Sequence, residues 1–427
     1  MGQRSQNWNP SLWPPFTQIA SASPPQRVIN GEGALIELEN GSTLIDAISS
    51  WWVTLHGHSN KYIAEAIASQ AQKLEQVIFA DFTHPQAELL AKRLSKVTGL
   101  DRLFFSDNGS TAVEVALKIA CQWWHNKNET RHQIIAFEGA YHGDTFGAMA
   151  VGERNLFNAP FHKMLFPVSR VPWPATWLGD QDVLNKETRV LKQLEQLLEI
   201  NTAAVILEPL VQGAGGMSMV RPEFIKGVEK LCREAGALLI ADEVMTGFGR
   251  CGNLFAFERS GIKPDLIALS KGLTGGFLPM GATMATEEIF QAFVGENPNL
   301  TFWHGHSFTG NPLGCAAANA SLDLLEASPG LYESFESQHL PHLEALANHP
   351  KVKQRRVMGT IAAFDMDVKG PKGYLNNAGQ ALKSISMNNG VFLRPLGSVV
   401  YLLPPLCISD SQLEKCYWAI TKGLNSL

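Results

Sequence analysis

No apolar run in this 427-residue chain approaches the roughly 18 residues that a membrane-spanning helix needs. Over the first 27 residues only Arg4 and Arg27 are basic, and no apolar stretch of signal length occurs. Neither a secretory signal nor an Arg-rich transit peptide is therefore expected. Polybasic blocks are missing too, and 35 Lys+Arg against 40 Asp+Glu give a net charge of −5. That balance argues against a nucleic-acid or anionic-membrane partner. The six cysteines, Cys121, Cys232, Cys251, Cys315, Cys407 and Cys416, include no C-x-x-C pair. Such scatter suits reduced thiols in a cytoplasmic enzyme rather than a disulfide framework or a zinc site, and no metal is expected.

What is present is an ordinary globular composition, 45% hydrophobic and 18% charged, in a chain long enough for two or three domains. Residues 1–30 read as irregular. Short strands over Ala34–Glu39 and Thr43–Asp46 flank the turn Asn40-Gly41. Helical periodicity covers Asn60–Gln76 and then Gln86–Val97. Strand signals follow at Arg102–Ser106, Gln133–Glu138, Ala203–Glu208, Ala237–Asp242 and Leu266–Ser270. Helix signals at Ser110–Trp124, Val190–Leu198 and Pro222–Glu234 alternate with them, which predicts an α/β fold with a mostly parallel sheet. A helix over Leu313–Glu326 leads away from that sheet. The expected division is an N-terminal segment, 1–56, packing with the small domain, then a large α/β domain, 57–325, and a small α+β domain, 326–427.

Two apolar runs end on charge, Ala237 to Asp242 and Leu266 to Lys271, and their charged ends lie twenty-nine positions apart. Runs of this kind read as buried parallel strands, whose carboxyl ends face the ligand in an open α/β sheet. A lysine able to form a Schiff base and a carboxylate able to hold a pyridinium nitrogen are what pyridoxal-phosphate chemistry requires. Each also has a plainer reading, a carboxylate capping a turn and a solvated lysine. Gly272, Thr274, Gly275 and Gly276 after Lys271 form a small-residue bed that lets a bulky ligand approach. Gly109 and Ser110 open a helix, where free N–H groups attract phosphate, although a plain N-cap uses the same residues. Tyr141 follows a strand and could cover a flat ring or fill a loop corner. His142 has no metal-ligand partner and reads as structural. Gln212 to Gly216 lacks the Walker lysine and the G-x-G-x-x-G spacing. Gly305-His306-Ser307 reads equally as phosphate donors or as a loop before a helix.

Together, Ile240-Ala241-Asp242-Glu243-Val244, Gly247-Phe248-Gly249-Arg250 and Ser270-Lys271-Gly272 resemble the signature of the class III, fold-type I aminotransferases. The similarity extends from about Trp13 over nearly the whole chain. It implies pyridoxal 5'-phosphate, a mostly parallel seven-stranded sheet flanked by helices, a smaller α+β domain, and a homodimer with shared active sites. Carried over by residue, Lys271 holds the cofactor and moves the substrate proton, Asp242 pairs with the ring nitrogen, and Tyr141 covers the ring and reaches substrate. Gly109 and Ser110 bind the phosphate, helped by His306 of the partner subunit and the partner's Ser307.

Within the class, Asp46 to Trp52, Gly139 to Gly147, Gln212 to Met217, Arg394 to Gly397 and Tyr401 to Pro405 resemble members that aminate 8-amino-7-oxononanoate in biotin synthesis with S-adenosylmethionine. This resemblance implies that Trp51 and Trp52 wall the acceptor's aliphatic chain, that Gly305 touches it through backbone, and that Arg394 grips its carboxylate. Tyr401 joins the same substrate site. A guanidinium fork bonds a carboxylate bidentately, so the Arg394 role has a physical basis. Two positions depart from the family pattern. Phe16 stands where a tyrosine hydroxyl can serve recognition, and His306 stands where proline is frequent. The donor therefore stays open between S-adenosylmethionine and lysine, and a related ω-amino acid aminotransferase is the neighbouring reading.

Overall fold

The computed structural model describes residues 9, 11–20, 22–369 and 376–427. The other positions of the N-terminal stretch read as irregular lie outside the described residues. An antiparallel meander opens the fold, formed by β1 (Val28–Glu32), β2 (Leu35–Leu38) and β3 (Thr43–Asp46). β1 starts within the stretch expected to be irregular. Its residues are largely exposed, so they carry no buried alternation, and only pairing with β2 makes them a strand.

Helix α1 (Lys61–Ala71) is capped by the Asn60 side chain, which accepts from the Ile63 N–H. It stops short of Gln76 because the Gln70 amide donates to the Leu74 carbonyl at 2.9 Å and closes a turn. Helix α2 (Pro85–Thr98) ends on Gly99 in the left-handed region, where glycine carries no Cβ penalty.

The large sheet is assembled from β4 (Arg102–Ser106), β5 (Gln133–Phe137), β6 (Ser169–Val171), β7 (Thr202–Leu207), β8 (Leu238–Asp242), β9 (Leu266–Leu269) and β10 (Gly281–Ala285). Its order is β4-β10-β9-β8-β7-β5-β6. All neighbours run parallel except β10, which is antiparallel to both β4 and β9. The α/β class and mostly parallel sheet are as expected. Two strands carry no legible signal. β6 has three residues, and β10 is the buried small-residue run Gly-Ala-Thr-Met-Ala. Helices α3 (Gly109–Asn126), α4 (Val183–Leu197) and α5 (Pro222–Ala235) connect the strands. α4 begins seven residues before its expected start, because only Glu187, Val190 and Leu194 are buried and its first turn carries no apolar stripe. Helix α6 (Pro312–Ala327) then packs on α1 and α2.

The C-terminal part contains β11 (Val352–Met358), β12 (Ile361–Met366), α7 (Ala378–Asn388), β13 (Val391–Phe392), β14 (Val399–Leu402) and α8 (Asp410–Ser426). β11, β12 and β14 form an antiparallel sheet. β13 instead joins β3 in parallel, with Phe392 opposite Asp46. That pairing brings the residues just after β3 beside those just after β13. No helix among the described residues is long and apolar enough to cross a membrane.

Candidate active site

Three adjacent parallel strands, β7, β8 and β9, deliver Glu208, Asp242 and Lys271 to one rim of the sheet. Asp242 is buried, and its Oδ2 lies 2.6 Å from His142 Nδ1 while Oδ1 accepts the Val244 N–H at 3.0 Å. The histidine that reads as structural is thus the partner that fixes Asp242. One hundred residues separate the two in sequence, so no local spacing signals the pair. Lys271 begins a 3-10 turn at φ +46°, a conformation unfavourable for a residue with a Cβ. Its Nζ lies 4.9 Å from the Trp52 ring centroid. Burial lowers the Lys271 pKa, opposed by the charges of Asp242 and Glu208.

Of the four small residues behind Lys271, two serve packing rather than a ligand. A Cβ on Gly272 would meet Phe248 Cβ at 3.0 Å, and one on Gly275 would meet Ile63 Cδ1 at 2.8 Å. Gly276 alone of the three glycines lines the cleft.

At the opposite end, α3 starts with a capping box in which Asn108 accepts the Thr111 N–H at 3.1 Å. Gly109 and Ser110 occupy its first turn, whose N–H groups have no intrahelical acceptor. A Cβ on Gly109 would meet Val244 Cγ1 at 2.7 Å, so any other residue there would force that side chain to shift. Ser110 Oγ accepts the Asp144 N–H at 2.8 Å, joining the helix start to the Tyr141 loop. Burial and then the neighbouring Asp144 carboxylate raise the Tyr141 hydroxyl well above its ordinary pKa, so it stays protonated. These groups line one cleft of about 430 Å³ with Trp52. A lysine amine, a buried carboxylate, a flat phenol and a helix start with no room for a Cβ fit a cationic ring bearing a phosphate.

The outer part of the site depends on an irregular turn. Ser49, Ser50 and Trp52 all have positive φ, at +52°, +59° and +66°. This unfavourable backbone is held on several sides. Ser49 Oγ donates to the Leu403 carbonyl at 2.8 Å, Ser50 Oγ donates to Asp46 Oδ2 at 2.8 Å, and buried Arg250 donates to the carbonyls of Pro404 at 2.7 Å and Trp52 at 3.5 Å. Burial lowers the Arg250 pKa to about 9. Arg250 appears in sequence only as part of a family signature, and its role as a brace depends on contacts with distant chain segments. Trp52 donates from Nε1 to the Tyr401 hydroxyl at 3.0 Å, with Tyr401 buried behind it. Trp51 is 43% exposed, and the Arg394 guanidinium lies 5.0 Å from its ring centroid. Phe16 lies 5.5 Å from Trp51 and 6.3 Å from Phe157.

Gly305, His306 and Ser307 lie in the loop before α6, away from this chain's own cleft lining. His306 Nδ1 is 3.4 Å from Asp107 Oδ2, and the Ser307 carbonyl accepts Gln76 Nε2 at 2.8 Å. Trp303 and Phe308 beside them are exposed.

A seven-stranded mixed sheet that sets a lysine and an aspartate against a helix start is the arrangement of a fold-type I pyridoxal-phosphate enzyme. The chain matches the family described as aminotransferase class-III over residues 19–424 and belongs to it. It is 56% identical to adenosylmethionine-8-amino-7-oxononanoate aminotransferase of Synechococcus elongatus, covering 98% of this chain and 99% of that protein. The solved structure of adenosylmethionine-8-amino-7-oxononanoate aminotransferase from Methanocaldococcus jannaschii matches with a TM-score of 0.88 at 33% identity, over 96% of this chain and 97% of that one. An amine transaminase from an uncultivated Pseudomonas species, in its PLP-bound form, matches with a TM-score of 0.91 at 29% identity, over 99% and 100% of the two chains.

Proposed function

We propose that this aminotransferase converts 8-amino-7-oxononanoate to 7,8-diaminononanoate in biotin biosynthesis, with S-adenosylmethionine as amino donor. The observation that carries the reading is the outer site, where the Arg394 guanidinium lies over Trp51 with Trp52 next in sequence. An arginine beside an aromatic wall suits a long aliphatic chain that ends in a carboxylate. The 56% identity to a relative of that name supports the same assignment.

The residues present fit pyridoxal phosphate, which supplies an electron-withdrawing ring for the carbon that loses its proton. Lys271 would hold it covalently, Asp242 would face its ring nitrogen, and Gly109 and Ser110 would take its phosphate. Asp242 is oriented for that task by His142 and the Val244 N–H. Burial disfavours the charged form of Lys271, and its amine would accept and return the substrate proton. Tyr141, kept protonated, offers a hydrogen bond within the cleft. Gly305, together with His306 of the partner subunit and the partner's Ser307, would complete the site in a homodimer. The exposed Trp303 and Phe308 beside this loop support burial against a second copy. The cysteine pattern supports a cytoplasmic location.

Mixing the holoenzyme separately with S-adenosylmethionine and with lysine, while following the cofactor's visible absorbance, tests the donor. Conversion by S-adenosylmethionine is expected. Conversion by lysine alone would replace the donor, and conversion by neither would overturn the biotin-pathway reading.

A further inference from the structure

Leu207 of β7 lies opposite Ala241 of β8, so Glu208 and Asp242 leave the sheet side by side. Both are almost fully buried, at 4% and 3% exposure. Their anchoring differs. Asp242 is held by an imidazole and one backbone N–H. Glu208 gives each of its oxygens to a different loop. Oε1 accepts the Tyr141 N–H at 3.0 Å, and Oε2 accepts the Gly213 N–H at 2.9 Å.

Those two loops shape the cleft. The first carries Tyr141 itself. The second backs the tryptophan over Lys271, since a Cβ on Gly213 would meet Trp52 Cζ3 at 3.2 Å and Met245 Cε at 3.0 Å. One carboxylate therefore links the loop bearing Tyr141 to the loop supporting Trp52.

We propose that Glu208 is a positioning residue of this site, whose ionised carboxylate holds Tyr141 and Trp52 in register around Lys271 and whose protonation lowers activity. The groups facing it are Asp242 from the end of β8, His142 and Tyr141 from the loop after β5, and Lys271 from the turn after β9. Burial raises the Glu208 pKa to about 7, with Asp242 adding to the rise and His142 and the two N–H donors opposing it. Each oxygen accepts one N–H, and a hydroxyl oxygen accepts more weakly than a carboxylate oxygen. A proton on either weakens one of the two links.

The inference rests on the aminotransferase reading of the cleft and is independent of which acceptor is used. It is tested by amide hydrogen exchange on the holoenzyme, with the intrinsic pH dependence removed, and by the pH profile of kcat with S-adenosylmethionine and 8-amino-7-oxononanoate. In Glu208→Gln an NH2 group must face one of the two N–H donors. The Tyr141 or the Gly213 amide should then exchange about tenfold faster or more. The variant's kcat should fall, and the acid limb near pH 7 should disappear. Unchanged protection of both amides, or an acid limb that persists, would overturn the proposal. Should Glu208→Gln not fold, Glu208→Asp keeps the charge but is one methylene shorter and reaches one loop. It should lose protection at one amide and retain a displaced acid limb, and unaltered protection at both would overturn the proposal. If the wild type turns over neither substrate, the acceptor assignment fails while the exchange result still judges Glu208.

Discussion

The inner and outer halves of the cleft are built on different principles. Inside, Asp242, Lys271 and Glu208 stand at the ends of adjacent buried strands, and Gly109 starts a long capped helix. Their positions follow from sheet register and from helix capping. Outside, Trp51, Phe16 and Arg394 sit on irregular segments and are partly exposed, and the turn that carries Trp51 is braced by side chains onto β3 and the Pro404 region. On the proposed reading, the regular frame holds the groups on which the reaction class depends, and the irregular frame holds those on which the choice of substrate depends. Scaffold rigidity and site variability are thereby separated within one cleft.

Breaking the inner half should have the largest effect. Lys271→Ala removes both the proposed covalent anchor and the proposed proton carrier, so turnover should fall by at least about 10³-fold. The cofactor's protein-linked visible absorbance should vanish with it. Substantial residual turnover would mean that the reacting amine lies elsewhere.

The outer half should respond more moderately and through binding. Arg394→Ala deletes a charged fork, and each charge-assisted hydrogen bond contributes about 1.5–3 kcal/mol. A rise in acceptor KM of roughly 100-fold is expected, with a much smaller change in kcat. Trp51→Ala also removes the ring beneath the guanidinium, so it should raise the same KM by about tenfold. Equal losses of kcat in both variants would break the proposed division between reaction and recognition.

The same division explains what could be read from sequence. Asp242 and Lys271 were legible because each terminates an apolar run, and strand burial is written in consecutive residues. β10 was not legible, since small residues buried between two strands carry no alternation. Arg250, Glu208 and His142 act through partners far away in the chain, at Pro404, Tyr141 and Asp242 respectively. No spacing rule reaches across such separations. The glycines after Lys271 illustrate the reverse case. Their presence was plain, but Gly272 and Gly275 accommodate Phe248 and Ile63, which only the folded chain reveals.

Burial in the inner frame also has a pH signature in stability. Glu243 is fully buried, accepts the Thr246 hydroxyl at 2.5 Å and the Phe257 N–H at 2.7 Å, and is raised to about 7 by desolvation. A carboxyl whose folded pKa lies above its unfolded value favours the native state while protonated. Its contribution is complete below the unfolded value and is lost as pH rises through about 7. Glu243→Gln should therefore flatten the decline in stability between about pH 5 and pH 8 by about 2–3 kcal/mol. Urea unfolding midpoints of the two proteins at both pH values measure it, and parallel declines would place the titration elsewhere.

The smallest expected effect probes the boundary between donor and acceptor handling. Phe16 packs on Trp51 and Phe157 with φ +51°, so its ring is held by aromatic contacts and an unfavourable backbone rather than by a hydrogen bond. Phe16→Tyr adds one hydroxyl at the 50%-exposed outer end of the site and should leave folding unchanged. A single neutral hydrogen bond contributes about 1 kcal/mol, so the donor KM should move by no more than about fivefold. Because the Phe16 ring already packs on Trp51 and the substitution leaves that apolar contact in place, the acceptor KM should move less. A larger shift in the acceptor than in the donor would assign Phe16 to the aliphatic wall and make the outer half a single acceptor surface.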